Sequence, residues 1–162
     1  MEKYSKIVAL INREIGGFNA NIALEWKVRE LPSDLLDDRA FVSIRDKEWK
    51  DTRWPNQEFS GVYFLFGYNK INPNEVGVYI GKASLRSKIG NRIYEHLNKD
   101  RPTKDYKMND GHGNTFALEY TSGINFEENN TVFLAPALEE YLIGRLGSHV
   151  HLLNVSGNKR DG

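Results

Sequence analysis

The chain has 162 residues, of which 40% are hydrophobic and 27% are charged. This length and balance are typical of one globular domain with a buried core, and they exclude an intrinsically disordered chain. The sequence contains no cysteine, which excludes disulfide bonds and thiolate metal sites. It has no apolar run of membrane-spanning length and no signal-peptide core, so we expect a cytoplasmic protein without a membrane partner.

The formal net charge is zero, but the charges are unevenly distributed. Residues 79–107 carry eight basic and three acidic side chains. The basic side chains are those of Lys82, Arg86, Lys88, Arg92, Lys99, Arg101, Lys104 and Lys107. A solvated helix surface and a phosphate-facing surface both explain such a stretch, and the charge pattern alone leaves the two interpretations open.

The N-terminal third is predicted to begin with a helix. Apolar residues at helical spacing favour a helix over residues 4–15, ended by Gly16-Gly17. Alternating apolar residues then predict a strand over residues 22–28. Residues 34–46 are predicted to form a second short helix, and the polar residues 47–60 a linker or loop.

The pattern becomes clearer after residue 60. Two runs of aromatic and β-branched residues, 61–66 and 76–81, flank a turn over 68–75 and predict an antiparallel hairpin. The other predicted elements are a helix over 86–98, a polar loop over 99–114, a strand over 115–121 and a helix over 136–146. Pro136 suits the first turn of this last helix, which Gly147 would close. The expected fold is α/β (α+β), with a small antiparallel three-stranded sheet flanked by helices.

The helix predicted over 86–98 has a basic edge. Lys88, Arg92 and His96 are spaced four residues apart, so they line up along one ridge beside an apolar arc. A cationic ridge next to a packed face is what the wall of a phosphate-binding groove requires. Solvated side chains on an exposed helix edge are the alternative explanation.

A carboxylate occupies the buried arc of the last predicted helix. A helical wheel for residues 135–146 puts Glu139 inside that arc, whereas Glu140 points away from it. Because burial of an unpaired carboxylate is costly, Glu139 should hold a divalent metal ion or pair with a cation. A buried Glu–Arg salt bridge is the structural alternative.

Five short motifs follow one another along the second half of the chain. They are Gly61-Val62-Tyr63, Tyr79-Ile80-Gly81-Lys82, Arg92-Ile93-Tyr94-Glu95-His96, Glu139-Glu140-Tyr141-Leu142-Ile143 and Leu153-Asn154. In this order they resemble the motifs of GIY-YIG nucleases, with Val62 in place of the isoleucine of the family name. The resemblance covers a nuclease core over residues 60–155 and leaves residues 1–58 as an N-terminal extension of a single domain, 1–162.

The resemblance implies a metal-dependent endonuclease that hydrolyses DNA phosphodiester bonds by a one-metal mechanism. Glu139 would hold a single Mg²⁺ (or Mn²⁺), and Arg92 would offset the charge that builds on the phosphorus. The products would carry 5′-phosphate and 3′-hydroxyl ends. A nucleic-acid-binding module that keeps this fold without catalytic turnover is the alternative function.

The same resemblance assigns the other catalytic positions. Tyr63 would orient or deprotonate the attacking water, with Lys82 or His96 lowering its pKa, because an unperturbed tyrosine has a pKa of about 10. Tyr79 would hold a phosphate oxygen, and His96 would share a proton or bind a phosphate. Asn154 would hydrogen-bond near the metal or the tyrosines.

A short chain of this kind resembles the restriction endonucleases of the family, which would act as homodimers to cut both strands of DNA. Further DNA contacts are expected from Lys88 and from basic residues of the 99–114 loop. These loop residues are Lys99, Arg101, Lys104 and Lys107. Base contacts would come either from this loop or from Arg45, Trp49, Arg53 and Trp54 in the N-terminal region.

Two other patterns suggest a nucleotide-binding loop and a zinc site, but neither is complete. The segment from Gly77 to Ser84 resembles a nucleotide-binding loop, but it has three residues between its glycines and an alanine after Lys82, which excludes a Walker A motif. His112, His149 and His151 are candidates for a zinc site but lack an evident further ligand. We expect structural or solvent-facing roles for these histidines.

Overall fold

The computed structural model describes residues 2–33, 40–45, 56–98 and 106–154. Within these ranges the helices are α1 (Ser5–Asn19), α2 (Ile89–Asn98) and α3 (Ala135–Leu146). The strands are β1 (Val42–Ser43), β2 (Gly61–Asn69), β3 (Val76–Ala83), β4 (Lys107–Asn109), β5 (Thr115–Asn125) and β6 (His151–Leu152). Most of the predicted helix over 34–46 and of the linker over 47–60 lies outside the described residues.

The strands form one mixed sheet in the order β1-β5-β2-β3-β6, and β4 pairs with β5. The central strands β5, β2 and β3 are antiparallel neighbours, whereas β6 runs parallel to β3. The α/β class and the hairpin of β2 and β3 are therefore confirmed, but the three-stranded sheet was too small a prediction. The additional strands have only two or three residues, too few to leave a periodic pattern in the sequence.

Both faces of the central strand β2 are covered by helices. Val62, Phe64 and Phe66 are fully buried in a core shared with α1 and α3. Tyr63 and Leu65 point to the opposite face, where they join a second core with α2. Burial on both faces explains why β2 is almost continuously apolar rather than alternating.

The first helix is longer than predicted, because it continues through Gly16-Gly17 to Asn19. Glycine inside a helix costs about 1 kcal/mol relative to alanine. Phe18, beyond the glycines, is buried, and its ring packs edge-on against Tyr141 of α3 with ring centroids 5.4 Å apart. This tertiary packing stabilises the last turn of α1, which continues past the glycine pair where the sequence predicts the helix to end.

The strand predicted over 22–28 is wrong, because Leu24–Trp26 form a 3-10 helix with Leu24 largely exposed. Asn19 holds the following segment through two side-chain hydrogen bonds of 2.8 Å to the backbone of Val28. The alternation of apolar residues in this segment therefore reflects neither a sheet nor a shared buried face. Val42–Ser43, in turn, form a strand where a helix was predicted.

The second half of the chain follows the predicted element order, with different bounds. Helix α2 begins at Ile89 rather than at residue 86, because residues 84–87 form a turn. Strand β5 continues to Asn125, and Lys107–Asn109 form a strand inside the predicted loop over 99–114. Among the described helices, none has the length and apolar character needed to cross a membrane.

Candidate active site

Two tyrosines lie side by side on the face of the sheet that α2 covers. In the register of β2 and β3, Tyr63 is opposite Gly81 and Leu65 is opposite Tyr79, so the tyrosines are diagonal neighbours. Their ring centroids are 6.2 Å apart, and Tyr63 is 1% exposed. The hairpin thus brings the two phenols together, as the sequence motifs predicted.

Burial strongly favours the neutral form of both phenols. The pKa of Tyr63 is raised far above its usual range by burial and by the neighbouring Tyr79, and the positive charge of Arg92 only partly offsets this. Burial also raises the pKa of Tyr79. The cation that favours ionisation of Tyr63 is therefore Arg92, rather than Lys82 or His96 as the sequence suggested.

A chain of hydrogen bonds links Tyr63 to a histidine through Tyr79. Hydrogen bonding between the two phenols raises the pKa of Tyr63 and lowers that of Tyr79. The Tyr79 hydroxyl is 3.2 Å from Nε2 of His96, which accepts this bond when the imidazole proton is on Nδ1. His96 lies one helical turn after Arg92 on α2, on the side that faces the phenols.

Arg92 lies at the exposed margin of this pair. Its charge lowers the pKa values of both Tyr63 and Tyr79, and its Nη1 donates a hydrogen bond of 2.8 Å to Glu95. The side chains of Arg92 and Glu95 are 43% and 58% exposed. A solvent-exposed pair of this kind is weakly held, so the guanidinium can turn to another anion.

Glu139 approaches the tyrosines from α3. Its negative charge raises the pKa values of Tyr63 and Tyr79, and its Oε2 accepts a hydrogen bond of 2.5 Å from Nζ of Lys82. The Glu139 side chain is only 15% exposed, in accord with the helical wheel, while that of Lys82 is 37% exposed. The partner of this carboxylate is therefore a half-exposed lysine rather than a buried arginine.

The oxygen donors at this place suit a hard divalent cation bound mainly through water. Glu139 supplies one carboxylate, and the neighbouring phenols add only neutral oxygens. In the described parts of the chain, no three His, Asp or Glu side chains gather into a metal-binding group. A cation held by Glu139 would consequently depend on water and substrate oxygens for most of its coordination.

Asn154 has a different role from the one expected near a metal or a phenol hydroxyl. Its Oδ1 accepts a hydrogen bond of 3.0 Å from the Ile80 N–H, and its Nδ2 donates one of 2.6 Å to the Ile80 carbonyl. β6 pairs with β3 only at Gly77 and Val78, so Asn154 satisfies the edge backbone just beyond that pairing. It thereby fixes the strand segment next to Tyr79.

The residues predicted to bind DNA do not form one group as Tyr63, Tyr79, Arg92 and Glu139 do. Lys88 donates a hydrogen bond of 2.7 Å to Glu127, away from the ridge it was predicted to share with Arg92. Arg45 pairs with the buried Glu119, and Lys107 is exposed on β4. The others, Trp49, Arg53, Trp54, Lys99, Arg101 and Lys104, lie outside the described residues.

Two features of the site escaped the sequence analysis. Gly81 was noticed only as part of a motif, whereas in the structure it provides the space for the ring of Tyr63. Glu95 was not weighed as the partner of Arg92, although its position three residues later on a helix was an available signal.

Of the three histidines expected to have structural or solvent-facing roles, His151 has a structural one. His151 lies between two carboxylates, with Nε2 2.7 Å from Asp110 and Nδ1 3.0 Å from Glu75. Asp110 also accepts hydrogen bonds from the backbone of His112 and from Asn114. These contacts join the turn after β2 to the β4–β5 hairpin and to β6.

No protein-family model, no curated protein and no solved structure matches this chain.

Proposed function

We propose that this protein is a divalent-metal-dependent DNA endonuclease of the GIY-YIG type. The observation that carries the proposal is the convergence of one buried phenol, one partly buried phenol, one arginine and one nearly buried carboxylate. Arg92 and Glu139 each act electrostatically on both Tyr63 and Tyr79, although the four residues come from four different elements. Tyrosines with raised pKa values beside an arginine and a carboxylate are typical of catalytic sites.

The charges of this group match the requirements of phosphodiester hydrolysis. Attack of water on phosphorus builds negative charge on the phosphoryl oxygens, and the P–O bond to the 3′-oxygen then breaks. Arg92 is free to exchange the exposed Glu95 for a phosphoryl oxygen, which would place a charged donor where that charge develops.

The tyrosines support a proton path that needs no free phenolate. As the water oxygen bonds to phosphorus, its proton passes to the hydroxyl of Tyr63, whose own proton moves to Tyr79. The proton of Tyr79 then moves to Nε2 of His96, along the 3.2 Å contact. This arrangement accounts for a phenol whose pKa is raised, because Tyr63 stays neutral before and after the transfer.

Glu139 is the residue that would hold the cation. When bound, Mg²⁺ or Mn²⁺ would polarise a phosphoryl oxygen and stabilise negative charge on the departing 3′-oxygen. Lys82, now hydrogen-bonded to Glu139, would be released by this exchange and could donate to a substrate phosphate instead.

Nicking of supercoiled plasmid in Mg²⁺, with and without chelator, tests the proposal. Glu139→Gln and Arg92→Ala should each reduce the cleavage rate by about a hundredfold or more. Glu140→Gln, an exposed neighbour on the same helix, is the matched control and should cut at the wild-type rate. Wild-type cleavage by Glu139→Gln would show that the metal role is misassigned.

The same assay separates catalysis from binding alone. A protein that retards plasmid without nicking it in Mg²⁺ or Mn²⁺ would be a binding module that keeps this arrangement of residues. If cleavage occurs, sequencing the ends of the products would identify a preferred sequence, which a restriction endonuclease requires. Sedimentation of the protein with its DNA would test whether a homodimer makes the paired cuts.

A further inference from the structure

The turn between β3 and α2 presents a leucine in an unusual conformation. Leu85 has a φ of 54°, in the left-handed region, and is 86% exposed. A single exposed leucine is ordinary in a protein surface. A leucine that is both exposed and held at positive φ is not, because the backbone conformation costs free energy and the side chain gains no burial in return.

A second exposed apolar side chain stands at the same end of the hairpin. The ladder between β2 and β3 ends at the pair Gly61 and Ala83. Phe59 lies two residues before Gly61, and Leu85 lies two residues after Ala83, so both are the same number of residues from the last pair of the two strands. Phe59 is 40% exposed, and its carbonyl accepts the hydrogen bond of Ile89 N–H at the start of α2.

Leu85 and Phe59 lie near the candidate active site, and positively charged side chains lie next to Leu85 in the sequence. Leu85 is four residues from Gly81, which opposes Tyr63, so the chain between them spans at most about 14 Å. Arg86, the next residue, is exposed, and Lys82 lies three residues before Leu85. Such an arrangement is complementary to a nucleic acid, because the cations can bind its phosphates and the apolar side chain can contact its stacked bases.

We propose that Leu85 is an apolar wedge that contacts the bases of duplex DNA beside the scissile phosphate. The proposal rests on the proposed function, because it takes the Tyr63 site to hold that phosphate. At 3.4 Å per base step, the span of at most about 14 Å between Gly81 and Leu85 corresponds to about four base pairs along the DNA. Leucine is among the side chains that proteins press between base steps, and the strained backbone would hold it in place for this contact.

Binding of a 30-base-pair duplex without divalent metal, measured by fluorescence anisotropy of labelled DNA, tests the contact apart from catalysis. Leu85→Ala should weaken binding by about tenfold or more, while Leu85→Met should bind as the wild type does. Leu85→Gly separates the side chain from its backbone, because glycine relieves the positive φ. It should raise the melting temperature and still weaken DNA binding.

The absence of cysteine from the chain permits a direct probe of contact. Leu85→Cys carries an environment-sensitive fluorophore, and the control is Ile71→Cys, because Ile71 is 89% exposed in the turn at the other end of the hairpin. On addition of duplex, the label at residue 85 should shift its emission and saturate together with the anisotropy signal. The label at residue 71 should not respond.

Unchanged affinity in Leu85→Ala and Leu85→Gly, or a silent label at residue 85 while DNA is bound, would overturn the wedge and leave the nuclease proposal standing. Binding with a responsive label but no cleavage in Mg²⁺ or Mn²⁺ would support contact between Leu85 and DNA but reject the nuclease, and with it a position beside a scissile phosphate. If the wild-type protein binds no duplex at low salt, both proposals fail.

Discussion

The ring of Tyr63 lies directly against Gly81 on the neighbouring strand. A Cβ at position 81 would overlap the ring and come within 2.5 Å of the Tyr63 hydroxyl oxygen. Tyr63 is fully buried and therefore cannot move aside as an exposed side chain would. The glycine thus sets the position of the phenol that the proposed mechanism places next to the attacking water.

Gly81→Ala should therefore displace the phenol. We expect a loss of about 1–3 kcal/mol in the free energy of unfolding, together with at least a tenfold fall in cleavage rate. Gly144→Ala is the control, because a Cβ there meets nothing within 4 Å and alanine favours the helix. Urea unfolding and plasmid nicking measure the two effects, and an active Gly81→Ala protein would show that the ring position is not critical.

The elements that carry the candidate site residues were more predictable from the sequence than much of the fold around them. Arg92 and Glu139 lie on helices whose faces follow from apolar periodicity, and Tyr63 and Tyr79 lie on the two strands of a hairpin predicted from the sequence. Their distances do not follow from it, because they depend on the register of β2 with β3 and on the packing of α3.

The missed features depend on contacts between residues far apart in sequence. Asn154 bonds to Ile80 across 74 positions, and no local pattern encodes that pairing. Lys88 was assigned to a basic ridge by helical spacing, but α2 begins after it, and the acceptor it finds is Glu127. Local periodicity predicts faces well and predicts ion-pair partners poorly.

Alkaline pH should destabilise the protein through the phenols of Tyr63 and Tyr79. The pKa values of Tyr63 and Tyr79 are raised in the folded state above their ordinary value of 10.0. Their contribution is fully present below pH 10 and is lost as pH rises further, because the unfolded chain then releases protons that the folded chain retains. The free energy of unfolding should fall above about pH 10.

Tyr63→Phe should make that alkaline decline shallower, since it removes one of the phenols. Urea unfolding between pH 7 and pH 11 measures the slope, and absorbance at alkaline pH follows tyrosine ionisation. Tyr94→Phe is the control, because Tyr94 is 53% exposed. If the Tyr63→Phe and wild-type slopes coincide, the phenol is not shielded from solvent as described. The variant should also be severely impaired in cleavage, because it lacks the hydroxyl.

Asp110 should stabilise the fold in a pH-dependent way. Burial raises its pKa, but hydrogen bonds from Asn114, His112 and His151 outweigh this and hold the pKa well below its ordinary value of 3.8. The resulting stability is present above pH 3.8 and is lost as pH falls through the lower folded pKa. Asp110→Asn should therefore cost about 1–3 kcal/mol near neutral pH and progressively less below about pH 4.

Thermal or urea unfolding of the two proteins from pH 3 to pH 7 checks this dependence. Cleavage by Asp110→Asn at a temperature well below its unfolding transition should match the wild type, because His151 and Glu75 lie outside the proposed catalytic group. A constant stability difference across the whole pH range would contradict the role given to the ionised carboxylate.

Asn154 should act as a positioning residue for Tyr79. In Asn154→Asp the side chain can still accept from the Ile80 N–H, but it cannot donate to the Ile80 carbonyl while ionised. We expect a loss of about 1–3 kcal/mol in unfolding free energy and a lower cleavage rate with little change in DNA affinity. Partial recovery of both losses as pH falls and the carboxyl gains a proton would distinguish this role from direct substrate contact.

Lys82 should compete with a divalent cation for Glu139, because its Nζ is 2.5 Å from the carboxylate oxygen Oε2. Lys82→Met keeps most of the side-chain length but removes this charge. It should bind Mn²⁺ several-fold more tightly than the wild type in calorimetric titration, because the carboxylate no longer exchanges one cation for another. Glu139→Gln is the control and should abolish that binding.

Cleavage by Lys82→Met should nevertheless fall, because no ammonium is left to donate to the substrate phosphate. An unchanged Mn²⁺ affinity in Lys82→Met would show that the ion pair and the cation do not share this carboxylate.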